Sequence, residues 1–335
     1  MGQRRLPLPA SVVFALSLVT AAVILLYAVA CDQAPTPATA GEPSSGRESG
    51  RAVPTSPARN KKLPAVASLS PAATDLLIGM GAGDHLVAVS NFDADRDDIR
   101  GLDRVGDYRT QDWEKLWELR PQKMIIQMRP DRLPAGLRGR AEKGGIELVN
   151  LTIDGLDDVF KAIPQLGKAV GEEPKAEAQL ARLRKQVETV RKRVESAPKV
   201  KALLVVNDDA RMVAGPGTFL DDILKTAGGE NAADPLDTPW PTVDREKILQ
   251  FQPQVVIHLL PAASPQVVRE AKKFWASLPE LPAVRDKRVH VLTEWYALLP
   301  GDHVGQLAEQ YALILHPFAN VKSLGTGATD APRLP

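Results

Sequence analysis

Residues 108 to 125 read YRTQDWEKLWELRPQKMI, and residues 240 to 257 read WPTVDREKILQFQPQVVI. The two windows align without a gap at an offset of 132 positions, and seven of their 18 positions are identical. Each copy opens with an aromatic residue, Tyr108 in the first and Trp240 in the second. Solenoid units recur every 20 to 50 residues or so, so an offset of this length predicts two related lobes instead.

Each copy of the repeat supplies a start and an end for a short helix. Asp112 and Asp244 are good N-cap residues, because a side-chain oxygen can accept hydrogen bonds from unpaired N–H groups of the first turn. Pro121 and Pro253 end each helix. The apolar runs that follow, MII and VVI, are typical of buried parallel strands. The repeated unit is therefore helix, turn and strand.

The rest of the folded region shows the same alternation of strands and helices. Residues 63 to 156 contain four strand signals, AVASL, LVAVS, KMIIQ and IELVNL, and residues 198 to 320 contain KALLVV, QVVIHL and RVHVL. Alternation of this kind predicts a layered α/β fold. We therefore expect two similar α/β lobes with mostly parallel central sheets and a ligand cleft between them.

A charged segment without strand signals, residues 157 to 197, separates the two lobes. Its apolar residues are spaced three, four, three and four apart, which is a single helical stripe; they are Leu180, Leu183, Val187, Val190 and Val194. The segment predicts one long helix that lies against both lobes as a stiff connector.

The ends of the chain are not expected to belong to the fold. Residues 1 to 31 have Arg4 and Arg5 before an apolar stretch that ends at Cys31, the only cysteine, which is typical of an export signal. Either Cys31 is lipidated, or the apolar stretch remains as a membrane anchor, since about 20 apolar residues can span a bilayer. Residues 32 to 62 are rich in Pro, Ser, Thr, Ala and Gly without a periodic apolar pattern, which predicts a disordered tether, and residues 321 to 335 are expected to form a disordered tail.

Composition and motifs argue against several classes of function. A net charge of +1 gives no electrostatic reason to expect a nucleic-acid partner. The five histidines show no HExxH or HxH spacing, and neither a phosphate loop nor a GxSxG motif is present in the sequence. We therefore predict no catalytic residues, no protein-bound metal and no intrinsic cofactor.

Several motifs, in order, resemble those of a known family. They are SLSPAATDLLIGMGAGDHLVAVSNFD at 68 to 93, VGDY at 105 to 108, GPGTFLDDILKTAGGEN at 215 to 231 and PWPTVDREKI at 239 to 248. The chain is similar to the substrate-binding proteins of ABC importers that have a single helical backbone, in their cobalamin and iron-siderophore branch. The resemblance covers about residues 64 to 317 and implies no enzymatic activity.

The resemblance implies a role for the repeated glutamates, Glu114 and Glu246. In the family, a glutamate on each lobe docks into a basic pocket of the permease dimer, which works with its ATPase. A dimeric permease presents the same pocket twice, so a duplicated carboxylate can engage both copies. Alternatively, both glutamates only favour the helix N-terminus, which is worth about 0.3 to 1 kcal/mol each.

The resemblance also implies which residues bind the ligand. Phe92, Tyr108 and Trp240 match family positions that line the cleft, where aromatic walls suit a flat, mostly apolar macrocycle. Glu294 matches an acidic ligand contact, and Met212 falls at another cleft position, where it could equally be a core methionine.

One departure from the pattern affects the identity of the ligand. The vitamin B12-binding pattern has an arginine at the position of Leu298. We expect cobalamin or a related corrinoid, with a ferric siderophore or haem as the alternative. If the ligand is a siderophore or haem, its anionic groups would meet cationic side chains; the candidates are Arg109, Arg129 and Arg211. A zinc or manganese carrier, an enzyme acting on a tetrapyrrole and a scavenger without an importer are further alternatives.

The expected protein is thus a monomeric, extracytoplasmic, membrane-anchored binding protein that captures a metal chelate and delivers it to an ABC permease. Because one helix spans both lobes, we expect capture with limited closure.

Overall fold

A computed structural model of the chain describes residues 63 to 317. The predicted signal or anchor, Cys31, the tether and the tail at 321 to 335 lie outside the described residues. Within the described range, no helix is both long enough and apolar enough to cross a membrane.

The first lobe is built on a five-stranded sheet in the order β3-β2-β1-β4-β5, with parallel pairing throughout. Its strands are β1 Val66–Ser68, β2 Leu86–Val89, β3 Asp103–Arg104, β4 Lys123–Gln127 and β5 Glu147–Leu151. Four of these strands match the sequence prediction. The fifth, β3, is only two residues long and carries no apolar run that would reveal it.

The second lobe is built on a four-stranded parallel sheet in the order β7-β6-β8-β9. Its strands are β6 Val200–Val205, β7 Gly229–Asn231, β8 Val255–Leu259 and β9 Val289–Leu292. Three of the four correspond to predicted strands, and β7 is a short edge strand that was not predicted. The expected pair of parallel α/β lobes is confirmed.

Helices connect the strands within each lobe. In the first lobe they are α1 Pro71–Gly79, α2 Trp113–Leu119 and α3 Leu137–Lys143. Between the lobes lie α4 Leu156–Val170 and α5 Glu173–Arg193, and the second lobe adds α6 Phe219–Thr226, α7 Arg245–Phe251, α8 Pro265–Ala276, α9 Pro282–Arg285 and α10 Val304–Leu315.

The sequence repeat is a repeat in structure. Asp112 caps α2 and Asp244 caps α7; each side chain accepts a hydrogen bond from the backbone N–H three residues later. Both helices have seven residues, and each ends at a residue with a positive φ, 48° at Arg120 and 46° at Gln252. This left-handed residue turns the chain toward the proline and the next strand.

A repeated glutamine explains another identity between the two copies. The backbone N–H of Gln254 donates to the carbonyl of Lys201, and the Gln254 side chain accepts from the N–H of Lys201, both at 2.9 Å. Gln122 makes the same pair of hydrogen bonds with Ala65, at the start of β1. In both lobes this glutamine therefore holds the entrance of one strand to the entrance of its neighbour.

The connector between the lobes consists of two helices rather than one. Gly171, at φ 75°, ends α4, and α5 begins two residues later. The predicted stripe lies on the 21-residue α5, where Leu183, Val187 and Val190 are buried. The long backbone helix is thus α5, and α4 packs alongside it.

One apolar core runs through both lobes and the connector. It includes five residues that are fully buried: Leu76 of α1, Ile163 of α4, Leu183 of α5, Leu220 of α6 and Tyr311 of α10. Because interiors of this kind are densely packed and resist deformation, this shared core limits movement of the two lobes relative to each other.

Candidate functional site

The predicted ligand residues lie on loops that follow strands. Phe92 follows β2, Tyr108 follows β3, Trp240 lies in the loop after β7, and Glu294 follows β9. In parallel α/β sheets, the loops at the carboxyl ends of the strands form the ligand crevice. The fold therefore places these residues at the carboxyl edges of the two sheets, where ligands bind in α/β folds.

A tight turn presents Tyr108. Gly106 has a φ of 96°, and a Cβ at this position would collide with the carbonyl oxygen of Thr110. The Asp107 side chain accepts hydrogen bonds from the backbone N–H groups of Arg109, at 2.6 Å, and Thr110, at 2.9 Å. Tyr108 is thus held at the tip of a rigid, half-exposed loop.

Phe92 lies beside Tyr108, with the ring centroids 6.4 Å apart. Its loop is fixed by the next residue, Asp93, whose Oδ2 accepts from the backbone N–H of Ser90 at 2.9 Å and from the hydroxyl of Thr74 at 3.3 Å. Burial raises the pKa of the Asp93 carboxyl to about 6, against the opposing effect of these hydrogen bonds.

In the second lobe, a close backbone contact holds the loop of Trp240. The N–H of Gly215 donates to the carbonyl of Pro239 at 2.8 Å, and a Cβ at Gly215 would collide with the carbonyl oxygen of Thr238. Trp240 is partly buried and packs against the main core. Each lobe thus carries one aromatic side chain on a loop that a glycine allows to fold tightly.

Met212 lies deeper than the other predicted ligand residues. Its side chain is 6% exposed and belongs to the main core, and its backbone N–H donates to Asn207 Oδ1 at 2.9 Å. This position is typical of a core methionine. Its role in ligand binding stays a prediction.

Glu294 has one bonded and one unbonded carboxylate oxygen. Oε1 accepts from Gln310 Nε2 at 3.1 Å, and the same nitrogen lies 3.2 Å from the hydroxyl of Tyr296. Oε2 is buried and has no hydrogen-bond partner among the described residues. Leu298, where the B12-binding pattern has an arginine, packs against the apolar core instead.

Glu114 and Glu246 occupy equivalent positions in the first turn of α2 and α7. Both side chains are exposed, and within residues 63 to 317 neither carboxylate forms an ion pair. The repeated lysine behind Glu114, Lys115, is by contrast paired with Asp103 at 2.8 Å. The repeated aspartates and glutamines have structural roles; the repeated glutamates have none beyond the helix terminus.

The three arginines proposed for an anionic ligand differ in their surroundings. The Arg109 guanidinium lies 5.3 Å from the centre of the Tyr108 ring, and no described carboxylate pairs with it. Arg211 is exposed and directly precedes Met212, next to the Trp240 loop. Arg129 is engaged in ion pairs with Asp131 and Asp154.

A cluster of polar residues joins the two lobes, and no local pattern in the sequence connects its members. Asp75, on α1 and 1% exposed, accepts hydrogen bonds from the backbone N–H of Asp302 at 2.7 Å, from His303 Nδ1 at 3.0 Å and from Arg96 at 2.9 Å. The Arg96 guanidinium lies 4.2 Å from the centre of the Trp295 ring.

The backbone helix takes part in the same cluster. Gln179 Nε2 donates to the carbonyl of Leu76 at 2.9 Å and to Asp302 Oδ1 at 2.7 Å, and Arg182 reaches the same oxygen at 2.6 Å. The loop that carries Glu294 is therefore fastened to the first lobe and to α5. A charged residue inside the apolar helix PAATDLLIG was the available signal in the sequence.

No group of three or more His, Cys, Asp or Glu side chains that could hold a metal ion occurs between residues 63 and 317. His258 is a hydrogen-bonded core histidine: Nε2 lies 2.6 Å from the Asn207 carbonyl, and Nδ1 accepts from Trp275 at 3.1 Å. Burial lowers its pKa.

Known proteins match the chain in sequence and in fold. The family of periplasmic binding proteins matches residues 66 to 296. A vitamin B12-binding protein of Vibrio vulnificus strain YJ016 is 25% identical over 253 residues, which cover 74% of this chain and 90% of the relative.

Two solved structures illustrate the likeness in fold. The periplasmic vitamin B12-binding protein of Vibrio cholerae superposes with a TM-score of 0.65 at 22% identity, over 76% of this chain and 97% of that one. The apo periplasmic haem-binding protein RhuT of Roseiflexus sp. RS-1 gives a TM-score of 0.63 at 20% identity, over 76% and 98%. Since the family match spans well over half of the 335 residues, the protein belongs to the periplasmic binding proteins, the extracytoplasmic carriers that deliver ligands to ABC importers.

Proposed function

We propose that this protein captures a corrinoid, or a closely related planar metal chelate, and delivers it to an ABC importer. The observation that carries the proposal is the pair of aromatic side chains, Tyr108 and Trp240, at equivalent points of the two lobes. Each is on a loop whose conformation requires a glycine, Gly106 or Gly215. A flat macrocycle between two such rings buries a large apolar area while little side-chain entropy is lost.

Glu294 supports a ligand that carries hydrogen-bond donors. Its Oε2 has no partner in the described part of the chain, and a buried acceptor left unpaired costs about 1 to 3 kcal/mol. Because this oxygen is shielded from solvent, an amide N–H at the rim of a corrinoid reaches it when the Glu294 side chain turns toward the cleft. The relatives named as vitamin B12-binding proteins agree with this choice.

Delivery is proposed to depend on Glu114 and Glu246. Among the duplicated residues they are the exposed carboxylates that the fold itself does not use. Two equal acidic groups, one per lobe, are complementary to two equal basic pockets on a dimeric permease. One copy of the chain is sufficient to make both glutamate contacts with the permease. The cleft is expected to close only to a limited extent, because the shared core and the Asp75 cluster join the two lobes.

The chain is further proposed to be held at the membrane through its N-terminal segment, by acylation of Cys31. Mass spectrometry of the mature protein tests this directly. A lipidated Cys31 at the N-terminus supports the proposal, whereas an intact apolar segment would identify an uncleaved anchor.

A haem or ferric siderophore is the second candidate ligand, and specific residues favour it. Arg109 and Arg211 lie near the two aromatic loops without carboxylate partners among residues 63 to 317, so both could meet the acidic groups of an anionic chelate. Leu298 stands where the B12-binding pattern has an arginine.

The deciding experiment is a fluorescence titration of the chain from residue 32 onward with cyanocobalamin, haem and a ferric hydroxamate. We expect cyanocobalamin to quench tryptophan fluorescence and Trp240→Phe to reduce that quenching. Preference for haem, together with loss of binding in Arg109→Gln, would favour the second candidate. Absence of quenching with all three would contradict the macrocycle proposal.

A further inference from the structure

A second aromatic surface lies on the first lobe, and it includes none of the residues proposed for ligand capture or for permease docking. Trp117 on α2 is 45% exposed, one of two large apolar side chains exposed in the described part of the chain. The Arg140 guanidinium lies 4.9 Å from the centre of the Trp113 ring and 5.8 Å from that of Trp117. An arginine thus covers part of an exposed tryptophan pair.

A surface depression of about 360 Å³ adjoins Trp117. Arg120 and Lys143 line it, together with Gly144. A Cβ at Gly144 would lie 2.7 Å from the Trp117 indole nitrogen, so only glycine at this position lets the indole lie so close to the backbone. We refer to Trp117, Arg120, Arg140 and Lys143 as the Trp117 patch.

The Trp117 patch is absent from the equivalent place on the second lobe. The repeat puts Leu249 where the first lobe has Trp117, and Gln252 where it has Arg120. Arg120 and Gln252 share the same left-handed backbone conformation. The fold therefore requires neither the tryptophan nor the arginine, and docking through the duplicated glutamates does not account for them.

The N-terminal segment leaves the fold beside this patch. Ala65 is bonded through both its N–H and its carbonyl to Gln122, and Gln122 lines the same depression as Trp117. The described residues begin only two positions before Ala65. Immediately upstream, the sequence carries Arg59, Lys61 and Lys62.

Charge decides which partner can cover the patch. Arg120, Arg140 and Lys143 have no carboxylate partner in the described part of the chain, although Glu118 and Glu142 lie on the same helices. The basic segment that precedes residue 63 would be repelled by them and is therefore not the occupant. Among the described residues, four unpaired cations on α2, α3 and the turn after α2, Arg120, Arg138, Arg140 and Lys143, outnumber the three unpaired glutamates of these helices, Glu114, Glu118 and Glu142, so the complementary surface is anionic.

We propose that the Trp117 patch binds the anionic surface of the phospholipid membrane to which the N-terminal segment is anchored; this inference rests on the proposed membrane attachment. Tryptophan favours the membrane–water interface, and each lysine or arginine near an anionic bilayer contributes binding energy. The tether of about 31 residues has a root-mean-square reach on the order of 30 Å, which keeps the patch at a high effective concentration near the lipid.

Contact with lipid would also orient the protein for delivery. Glu114 lies three positions before Trp117 on α2, and residues with this spacing are neighbours on a helix surface. A lobe that rests on the membrane through Trp117 therefore holds its docking glutamate close to the surface in which the permease is embedded.

The test measures binding of the chain from residue 32 onward to vesicles, by flotation. This form retains the complete described fold and the basic segment but omits the membrane anchor. Vesicles of phosphatidylcholine alone are compared with vesicles that contain about 30% phosphatidylglycerol. We expect binding only to the anionic vesicles, a blue shift of tryptophan emission that is lost in Trp117→Phe, and loss of binding at high salt.

Variants of the patch locate the contact. Arg120→Gln with Arg140→Gln should weaken vesicle binding by about fivefold for each removed cation. The matched control, Lys272→Gln with Lys273→Gln, removes the same charge from exposed positions on α8 of the second lobe and should have no effect. Thermal unfolding shows whether the variants are folded. If the double arginine variant does not fold, vesicle binding by Trp117→Phe tests the patch instead.

Equal binding to both kinds of vesicle would overturn the proposal, as would an equal loss of binding in the control. If the patch variants were to reduce pull-down of an acidic protein but not vesicle binding, the partner would be that protein. Acylation of Cys31 is read separately by mass spectrometry, so failure of the anchoring proposal and failure of this one are distinguishable.

Discussion

The carboxylate of Asp75, in α1 of the first lobe, accepts a 2.7 Å hydrogen bond from the backbone N–H of Asp302, in the loop that carries Glu294. Asp75 is 1% exposed and also binds Arg96 and His303. A single buried carboxylate therefore links α1 of the first lobe to the loop between β9 and α10.

Asp75→Ala should lower the free energy of unfolding by about 3 kcal/mol, because it removes a buried carboxylate that accepts from the N–H of Asp302 and from His303, while Arg96 keeps its ion pair with Asp98. Urea unfolding followed by circular dichroism measures the change. Asp208→Asn, at an exposed position of the second lobe, is the matched control and should be nearly neutral. A loss in Asp75→Ala no larger than in the control would contradict the role of Asp75.

The hydrogen bonds of the repeated glutamines, Gln122 and Gln254, predict similar losses of stability in both lobes when these side chains are removed. Gln254→Ala removes the hydrogen bond to the N–H of Lys201, and Gln122→Ala removes the bond to Ala65. Each should lower the free energy of unfolding by about 1 kcal/mol. Gln306→Ala, at an exposed position of α10, provides the baseline in the same denaturation assay. If both variants lost no more unfolding free energy than Gln306→Ala, these side-chain hydrogen bonds would contribute nothing to stability.

Asp93 predicts a particular dependence of stability on pH. Its pKa in the folded protein, about 6, is above the ordinary value of 3.8, so the folded state binds the proton more tightly. The resulting stabilisation is fully present below pH 3.8 and is lost as the pH rises through 6. A shift of this size corresponds to about 3 kcal/mol.

Asp93→Asn mimics the protonated carboxyl and removes this dependence. The variant should match the wild type near pH 4 and be more stable than it at pH 7, as measured by urea unfolding at a series of pH values. The same pH profile in variant and wild type would show that Asp93 does not titrate in this range.

Gly215→Ala should impair ligand binding through Trp240. The added methyl group would collide with the Thr238 carbonyl oxygen and displace the loop of Trp240, at a cost of about 1 to 3 kcal/mol in stability. We expect at least a tenfold rise, roughly 1.4 kcal/mol, in the Kd for the ligand. Gly139→Ala, on α3 with free space around it, should leave the Kd unchanged. Unchanged affinity in Gly215→Ala would separate this loop from the binding site.

Sequence patterns were sufficient for the parts of this fold that local chemistry determines. Asp112 and Asp244 mark the helix starts because an N-cap is a local interaction, and apolar runs mark the long strands. β3 and β7 are edge strands that form by pairing with strands distant in sequence. Their two or three residues have no apolar pattern, so the sequence does not reveal them. The break between α4 and α5 depends on the positive φ of Gly171, one of many glycines in the chain.

The site divides in the same way. Tyr108, Trp240 and the two repeated glutamates could be proposed because duplication is visible in the sequence. The Asp75 cluster joins residues 227 positions apart, and no local pattern connects Asp75 with Asp302. Trp117 stands out only after its exposure and the arginine over it are known.

Docking through the glutamates predicts a separation of uptake from capture. Glu114→Ala combined with Glu246→Ala should abolish ligand import by cells that contain the permease, because both acidic contacts are lost, while the Kd of the purified protein for its ligand stays unchanged. Glu118→Ala with Glu270→Ala removes two exposed carboxylates elsewhere on α2 and α8 and should leave import intact. Normal import by the first double variant would make the docking assignment wrong.

The central claim is that the aromatic side chains of both lobes hold one planar corrinoid between them. Calorimetric titration of cyanocobalamin into the chain from residue 32 onward, and into its Tyr108→Ala, Trp240→Ala double variant, tests it most directly. The predicted result is saturable binding of one ligand per chain, with an affinity at least 100-fold weaker, about 2.7 kcal/mol, in the variant. Undiminished affinity in the variant, or absence of binding to the wild type, would contradict it.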